Sequence, residues 1–134
     1  MGILTATGCN EPTDTNTEKI DTIESVTEAA DAYVQITHEE AKALMNNEEN
    51  YIILDVRTAE EFNEAHIDGA ILIPDYEISE KAAEILTDKN QLILVYCRSG
   101  RRSKLASAEL AEMGYTNVKE FGGIIDWNYG TITE

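Results

Sequence analysis

Residues 91–96 (QLILVY) form a short apolar run that leads straight into the polar stretch 97–103 (CRSGRRS). The run is too short for a comfortable helix and contains β-branched residues, so it predicts a buried strand. Residues 104–113 carry the apolar periodicity of an amphipathic helix, and Gly114 stands where such a helix ends. Open α/β sheets bind ligands at the carboxyl ends of their strands. The sequence therefore places Cys97 where such a sheet holds a ligand.

The loop after this strand combines one thiol with three arginines, because Cys97 is followed by Arg98, Arg101 and Arg102. Backbone N–H groups that curl into the start of a helix bind anions, and the helix dipole adds positive potential. Such surroundings lower the pKa of a thiol from about 8.5 to between roughly 3.5 and 7.5. The loop thus predicts a reactive thiolate. The alternative is an inert, buried cysteine beside arginines that face solvent.

Five motifs, taken in order, resemble the signature of a single-domain rhodanese over roughly residues 33–130. They are Asp55-Val56-Arg57, Glu60-Glu61-Phe62, His66-Ile67-Asp68-Gly69-Ala70, the loop 97–103, and Gly122-Gly123 with Trp127. The resemblance implies a rhodanese-like α/β fold with a five-stranded parallel sheet and helices on both faces. It also implies a thiosulfate sulfurtransferase. In such an enzyme a Cys97 persulfide carries sulfane sulfur from a thiosulfate-like donor to a nucleophilic acceptor.

The charge of the loop and the resemblance together suggest roles for individual residues, and the role of Asp55 is one that the resemblance implies. Cys97 is the expected catalytic residue, and the expected substrate-binding residues are Arg98, Ser99, Gly100, Arg101, Arg102 and Ser103. Among these, Arg98 and Arg101 are expected to attract the donor, and Arg102 to stabilise the charged sulfur. Asp55 is expected beneath the cysteine loop, where it accepts hydrogen bonds that hold the loop.

Three further expectations concern residues around the motifs. Arg57 is expected to support the site and to pair with Glu60 or Glu61. His66 is expected to be structural, since a thiolate stabilised by its loop needs no general base. His38 is expected on the surface of a helix and not as a ligand.

Charge narrows the class of partner. The formal net charge is −16, yet four of the ten Lys and Arg residues lie between Arg98 and Lys104. A positive pocket on an acidic body attracts small anions and discourages nucleic acid. The sequence therefore predicts a small anionic sulfur donor, a thiol or cyanide acceptor, and no nucleic-acid partner. We also expect a monomer.

Neither a metal nor an organic cofactor is expected. The chain contains no C-x-x-C motif, and two cysteines with two scattered histidines do not make a zinc site. The covalent persulfide on Cys97 is the only intermediate that the predicted chemistry requires.

Two other functions fit the same fold. Related cysteine-based phosphatases and arsenate reductases carry an arginine six positions after the cysteine, in a loop wide enough for a tetrahedral oxyanion. Here Arg102 comes five positions after Cys97, and position 103 is serine. The shorter loop favours a single sulfur atom over a phosphoryl group. A non-enzymatic binding module is the second alternative, although such modules often lack the cysteine.

Residues 1–32 predict an exposed acidic tether that precedes the rhodanese-like domain at 33–134. Residues 1–8 (MGILTATG) resemble the end of a bacterial lipoprotein signal, in which a cysteine after small residues is lipidated. The match is imperfect, because Ala6 stands where leucine is usual. It predicts a lipid anchor at Cys9 that places an exported protein on the outer face of the cytoplasmic membrane. The alternatives are an arbitrary start of the sequence and a cytoplasmic protein.

The remaining elements follow from periodicity and capping signals. Strands are predicted at 33–36, 51–56, 70–73 and 118–121, and capping boxes at Thr37 and Thr58 open two helices. A further helix within 75–89 is expected to turn Ala82, Ile85 and Leu86 inward. A short closing helix should begin at 124–127, with Trp127 in the core.

Overall fold

The computed structural model describes residues 33–133. The tether predicted at 1–32 and the lipidation predicted at Cys9 lie outside the described residues and stay predictions. Within residues 33–133, the helices are too short or too polar to span a membrane.

Five strands and four helices alternate along the described chain. The strands are β1 (Val34–Gln35), β2 (Tyr51–Asp55), β3 (Ile71–Leu72), β4 (Leu92–Cys97) and β5 (Val118–Gly123). The helices are α1 (His38–Asn47), α2 (Ala59–Glu64), α3 (Ile78–Ile85) and α4 (Arg101–Glu112), with 3-10 turns at Asp75–Glu77 and Ile124–Asp126. All strand pairs are parallel, in the order β1-β5-β4-β2-β3. The predicted α/β fold with a five-stranded parallel sheet is confirmed.

Strand β4 lies at the centre of the sheet, and all six of its residues are buried. Its side chains alternate between two apolar clusters. Ile93, Val95 and Cys97 pack in the cluster that contains residues of α3 and α4. Leu92, Leu94 and Tyr96 pack in the cluster that contains Ala41 of α1, together with Phe121 and Trp127. Helices therefore cover both faces, which is why the strand is apolar throughout.

Both predicted capping boxes are present. Thr37 Oγ1 accepts a hydrogen bond from the backbone of Glu40, whose side chain accepts one from the Thr37 N–H. Thr58 and Glu61 make the same pair of bonds at the start of α2. Helix starts of this kind are encoded within four residues, so they are readable without tertiary information.

The structure corrects three details of the expected elements. Helix α4 begins at Arg101 and not at 104, so that Arg101, Arg102 and Ser103 belong to its first turn. Ile85 is exposed, because Ile78 and Ala82 of α3 and Leu86 directly after it make the core contacts, at four-residue spacing. The closing helix is only the 3-10 turn Ile124–Asp126, with Ile125 exposed and Trp127 buried.

Candidate active site

Cys97 is the last residue of β4, and only three residues separate it from the start of α4. Gly100 makes this short connection with a left-handed backbone (φ +104°), a conformation that glycine adopts without steric cost. The Gly100 N–H thereby points back and donates to Cys97 Sγ at 3.0 Å. The expected juxtaposition of a cysteine at a strand end with the amino end of a helix is present.

Cys97 lies at the floor of the loop and is only 1% exposed. Arg98, Ser99 and Arg101 are exposed around it. Very little of the thiol is therefore open to solvent.

The backbone of β5 supports the loop from below. At Gly123 an added Cβ would collide with the carbonyl oxygen of Arg98, so only glycine fits there. The same carbonyl accepts a hydrogen bond from the Ile125 N–H at 3.1 Å. The glycine pair at 122–123 thus allows the cysteine loop to lie directly against the last strand.

Ser103 lies beside Cys97 in the first turn of α4 and is fully buried. Its Oγ is 3.4 Å from Cys97 Sγ, 3.1 Å from the Gly100 carbonyl oxygen and 2.5 Å from Oε2 of Glu120. Glu120 is 2% exposed, and its Oε2 also accepts the Gly122 N–H at 2.9 Å. Glu120 belongs to none of the sequence motifs described above. Side chains alternate along a strand, so Glu120 lies on the same face as the apolar Val118, and this pattern could have predicted its burial.

Arg102 is held by Glu61 of α2 in a two-pronged ion pair, with N–O distances of 2.9 and 3.0 Å. These hydrogen bonds raise the pKa of Arg102, and negative charge on Cys97 and Asp75 acts in the same direction. Hydrogen bonds from Arg102 lower the pKa of Glu61 to about 2, against the opposing effect of its partial burial. The ion pair therefore holds the Arg102 guanidinium in one position, and the carboxylate of Glu61 offsets part of its positive charge.

The Glu61–Arg102 pair predicts a pH-dependent contribution to stability. The folded-state pKa of Glu61 lies below the unfolded value of 4.5, so the contribution is present above pH 4.5 and is lost as the pH falls toward 2. We expect Glu61→Gln to lower the free energy of unfolding by about 1 kcal/mol at pH 7, because the pair is partly exposed. Urea denaturation between pH 7 and pH 2 measures this, with exposed Glu60→Gln as the matched control. A deficit that stays constant down to pH 2 would contradict the assignment.

Asp55 does not hold the cysteine loop, and here the expectation is wrong. It lies at the end of β2 in register with Tyr96, on the face of the sheet opposite to Cys97. Its carboxylate accepts the Tyr96 hydroxyl at 2.7 Å and the Arg57 guanidinium at 2.6 Å. Burial and the negative charge of Asp55 raise the pKa of Tyr96, which keeps the phenol protonated. Asp55 thus anchors the residue immediately before Cys97.

Arg57 pairs with Asp55, and not with Glu60 or Glu61 as expected. Its backbone N–H and its Nε also donate to Asp55. The Nη2 atom that donates to Asp55 Oδ2 also donates to the Ala65 carbonyl at 2.6 Å. Burial works against the charge on Arg57, but the hydrogen bonds and charge of Asp55 outweigh it and raise the pKa. The pair is buried, so each charge needs the other to offset the free-energy cost of removing it from water.

The two histidines occupy structural positions. His66 is buried, its Nδ1 lies 2.8 Å from the Phe62 carbonyl oxygen, and its ring stacks on Phe62. The expectation of a structural His66 is confirmed. His38 is half-buried and meets the rings of Phe121 and Trp127 edge-on, so it packs more closely than a surface residue. Among residues 33–133, no group of three or more His, Cys, Asp or Glu side chains could hold a metal ion.

Comparisons with known proteins agree with this geometry. The sequence model of the rhodanese-like domain matches residues 37–129. The thiosulfate sulfurtransferase PspE of Escherichia coli is 45% identical over 73 residues, which cover 54% of this chain and 70% of PspE. The putative sulfur carrier protein YrkF of Bacillus subtilis is 35% identical over 105 residues, which cover 78% of this chain but only 56% of YrkF. A solved rhodanese with anions from E. coli superposes with a TM-score of 0.59 at 39% identity, covering 63% of this chain and 99% of that one.

Proposed function

Because the chain belongs to the rhodanese-like domain family, whose members here include proteins named as sulfurtransferases, we propose that it transfers sulfane sulfur through a persulfide on Cys97. One observation carries the proposal: the Gly100 N–H donates to Cys97 Sγ at the junction between a strand and a helix. A donor fixed in this position stabilises negative charge on sulfur, in the thiolate and in the persulfide alike.

The first step loads the sulfur. The Cys97 thiolate attacks the outer sulfur of thiosulfate or a similar anion, a new S–S bond forms, and the S–S bond of the donor breaks. Sulfite leaves with the bonding electron pair, and Cys97 becomes a persulfide anion. Arg98 and Arg101 are exposed at the rim of the loop and are proposed to attract the anionic donor. Arg102 is proposed to add positive potential from the first turn of α4.

The second step unloads the sulfur. A nucleophile attacks the terminal sulfur and the S–S bond to Cys97 breaks, which returns the Cys97 thiolate. Cyanide then yields thiocyanate, and a thiol yields a new persulfide. The reaction as proposed needs neither a metal nor an organic cofactor, because every electron pair is supplied by sulfur or by the nucleophile.

Sulfur loading is tested by intact-mass measurement. The protein is reduced, incubated with thiosulfate, freed of excess reagent and weighed, and we expect a gain of one sulfur atom per chain. Cyanide should return the original mass and release thiocyanate. The same protein is assayed with a phosphate ester. Hydrolysis of the ester without any gain of sulfur would overturn the proposal in favour of a phosphatase. If the protein neither gains sulfur nor hydrolyses the ester, the result would favour a binding module.

A further inference from the structure

Glu120 is a buried carboxylate that the proposed chemistry has so far left without a role. It stands in β5 with 2% of its surface exposed, and its Oε2 accepts from Ser103 Oγ and from the Gly122 N–H. Among residues 33–133 it has no ion-pair partner. Burial of a carboxylate is costly unless it is well compensated, and an apolar side chain would fill the same place in a strand without that cost.

Ser103 links this carboxylate to the sulfur of Cys97. Its hydroxyl has a single proton, while Glu120 Oε2 lies at 2.5 Å and Cys97 Sγ at 3.4 Å. When Cys97 is a thiol, the S–H group can donate to Ser103 Oγ, which in turn donates to the ionised Glu120. When the sulfur is negative, it accepts from the Gly100 N–H, and the Ser103 hydroxyl can turn to donate to it as well. The short contact between Oγ and Oε2 then brings two acceptors together unless the carboxyl group carries a proton.

We propose that Glu120 is a positioning residue for sulfur transfer, which takes up through Ser103 the proton that Cys97 loses. The S–H bond breaks as the Ser103 hydroxyl gains that proton and passes its own to Glu120 Oε2. Two protons remain among the three groups, and one negative charge moves from the carboxylate to the sulfur. The proposal rests on the proposed role of Cys97 as the sulfur carrier.

The charged and titratable groups around Glu120 and Cys97 come from two helices and from the neighbouring strands. Helix α4 contributes Arg102, which already pairs with Glu61, and Lys104, whose Nζ donates to the Gly100 carbonyl at 3.3 Å. Helix α1 contributes His38, which lies against Gly122. The residues in register with Glu120 are the neutral Gln35 of β1 and Val95 of β4. Two like charges so close together in a buried site disfavour each other, so a proton held in common avoids the second charge.

The test needs no sulfur donor. In a Cys9→Ser background, where Cys97 is the only thiol, the ultraviolet absorbance of the thiolate and the infrared C=O stretch of a protonated carboxyl group are followed against pH. We expect the thiolate to form in two steps. Between the steps, the thiolate and a protonated carboxyl group should be present together. Glu120→Gln should lose the lower step and the carboxyl band, and Cys97→Ser should lose the carboxyl band.

Two further variants make the outcome decisive. Ser103→Ala retains the carboxylate but removes the link, and it should lose the lower step as Glu120→Gln does. Glu112→Gln changes an exposed carboxylate on α4 and should keep both steps. A single-step titration in the parent protein, or titrations of the parent and Glu120→Gln that superimpose, would overturn the proposal. Sulfur loading with a single-step titration would refute only the role of Glu120. A two-step titration without sulfur loading would refute the proposed function, and it would leave the shared proton between Cys97 and Glu120 without a role in sulfur transfer.

Discussion

Replacement of Cys97 by serine is expected to abolish sulfur loading and to lower thiocyanate formation by roughly 10³ or more, the scale seen when an enzyme loses its nucleophile. The physical reason is that a hydroxyl oxygen cannot carry the sulfane sulfur in an S–S bond. Serine keeps the hydrogen-bonding partners of the site, because the Gly100 N–H and Ser103 Oγ can both bond to its oxygen. The loss should therefore come without loss of the fold.

The chain offers a matched control in its other cysteine. Cys9→Ser should load one sulfur atom and form thiocyanate at the rate of the parent protein, while Cys97→Ser should do neither. Intact mass after thiosulfate and the colorimetric thiocyanate assay measure the two effects, and far-ultraviolet circular dichroism checks the fold. Sulfur retained by Cys97→Ser and lost by Cys9→Ser would identify Cys9 as the carrier and refute the assignment.

Asp55→Ala is expected to lower the free energy of unfolding by about 3–5 kcal/mol, the range for breaking a buried ion pair from one side. The substitution leaves the Arg57 guanidinium buried without its counter-charge and removes the acceptor of the Tyr96 hydroxyl. Both groups are nearly inaccessible to solvent, so water cannot replace the lost carboxylate. Tyr96 directly precedes Cys97, and we expect sulfur loading to fall as well.

Urea denaturation at pH 7 measures this effect. Asp68→Ala removes an exposed carboxylate from the nearby turn and should change the free energy of unfolding by less than about 0.5 kcal/mol. Asp55→Asn retains an oxygen for the Tyr96 hydroxyl but not the charge. Its free energy of unfolding should lie between those of Asp55→Ala and Asp68→Ala. If Asp55→Ala unfolds at the same urea concentration as Asp68→Ala, the buried pair does not stabilise the fold.

Local patterns predicted the elements that place the cysteine. The apolar run before Cys97, the capping boxes at Thr37 and Thr58, and Gly114 after α4 each act over a few residues, and each lies where the sequence indicates. The boundary of α4 was harder to predict. Arg101 and Arg102 are equally compatible with a loop and with a first helical turn, and the left-handed Gly100 that settles the boundary is visible only in three dimensions.

Partners across the sheet were not predictable in this way. Asp55 faces Tyr96, and not the cysteine loop, because β2 pairs with β4 in a register that sets residue 55 beside residue 96. Arg57 has several acidic residues nearby in sequence and pairs with Asp55, whereas Arg102 has none within six residues and pairs with the distant Glu61. Glu120 meets Ser103 only because β5 lies beside β4, directly under the start of α4.

The sequence alone determined the class of fold, the order of its elements and the position of one cysteine at the end of a buried strand. The order of the elements and the place of the cysteine depend on periodicity and turn chemistry, which operate within a few residues, while the five-stranded parallel sheet is what the resemblance to rhodaneses implied. The tertiary structure decided which charged groups meet: Asp55 with Arg57 and Tyr96, Glu61 with Arg102, and Glu120 with Ser103. Those contacts depend on strand register and helix packing between distant segments, and no local pattern specifies either.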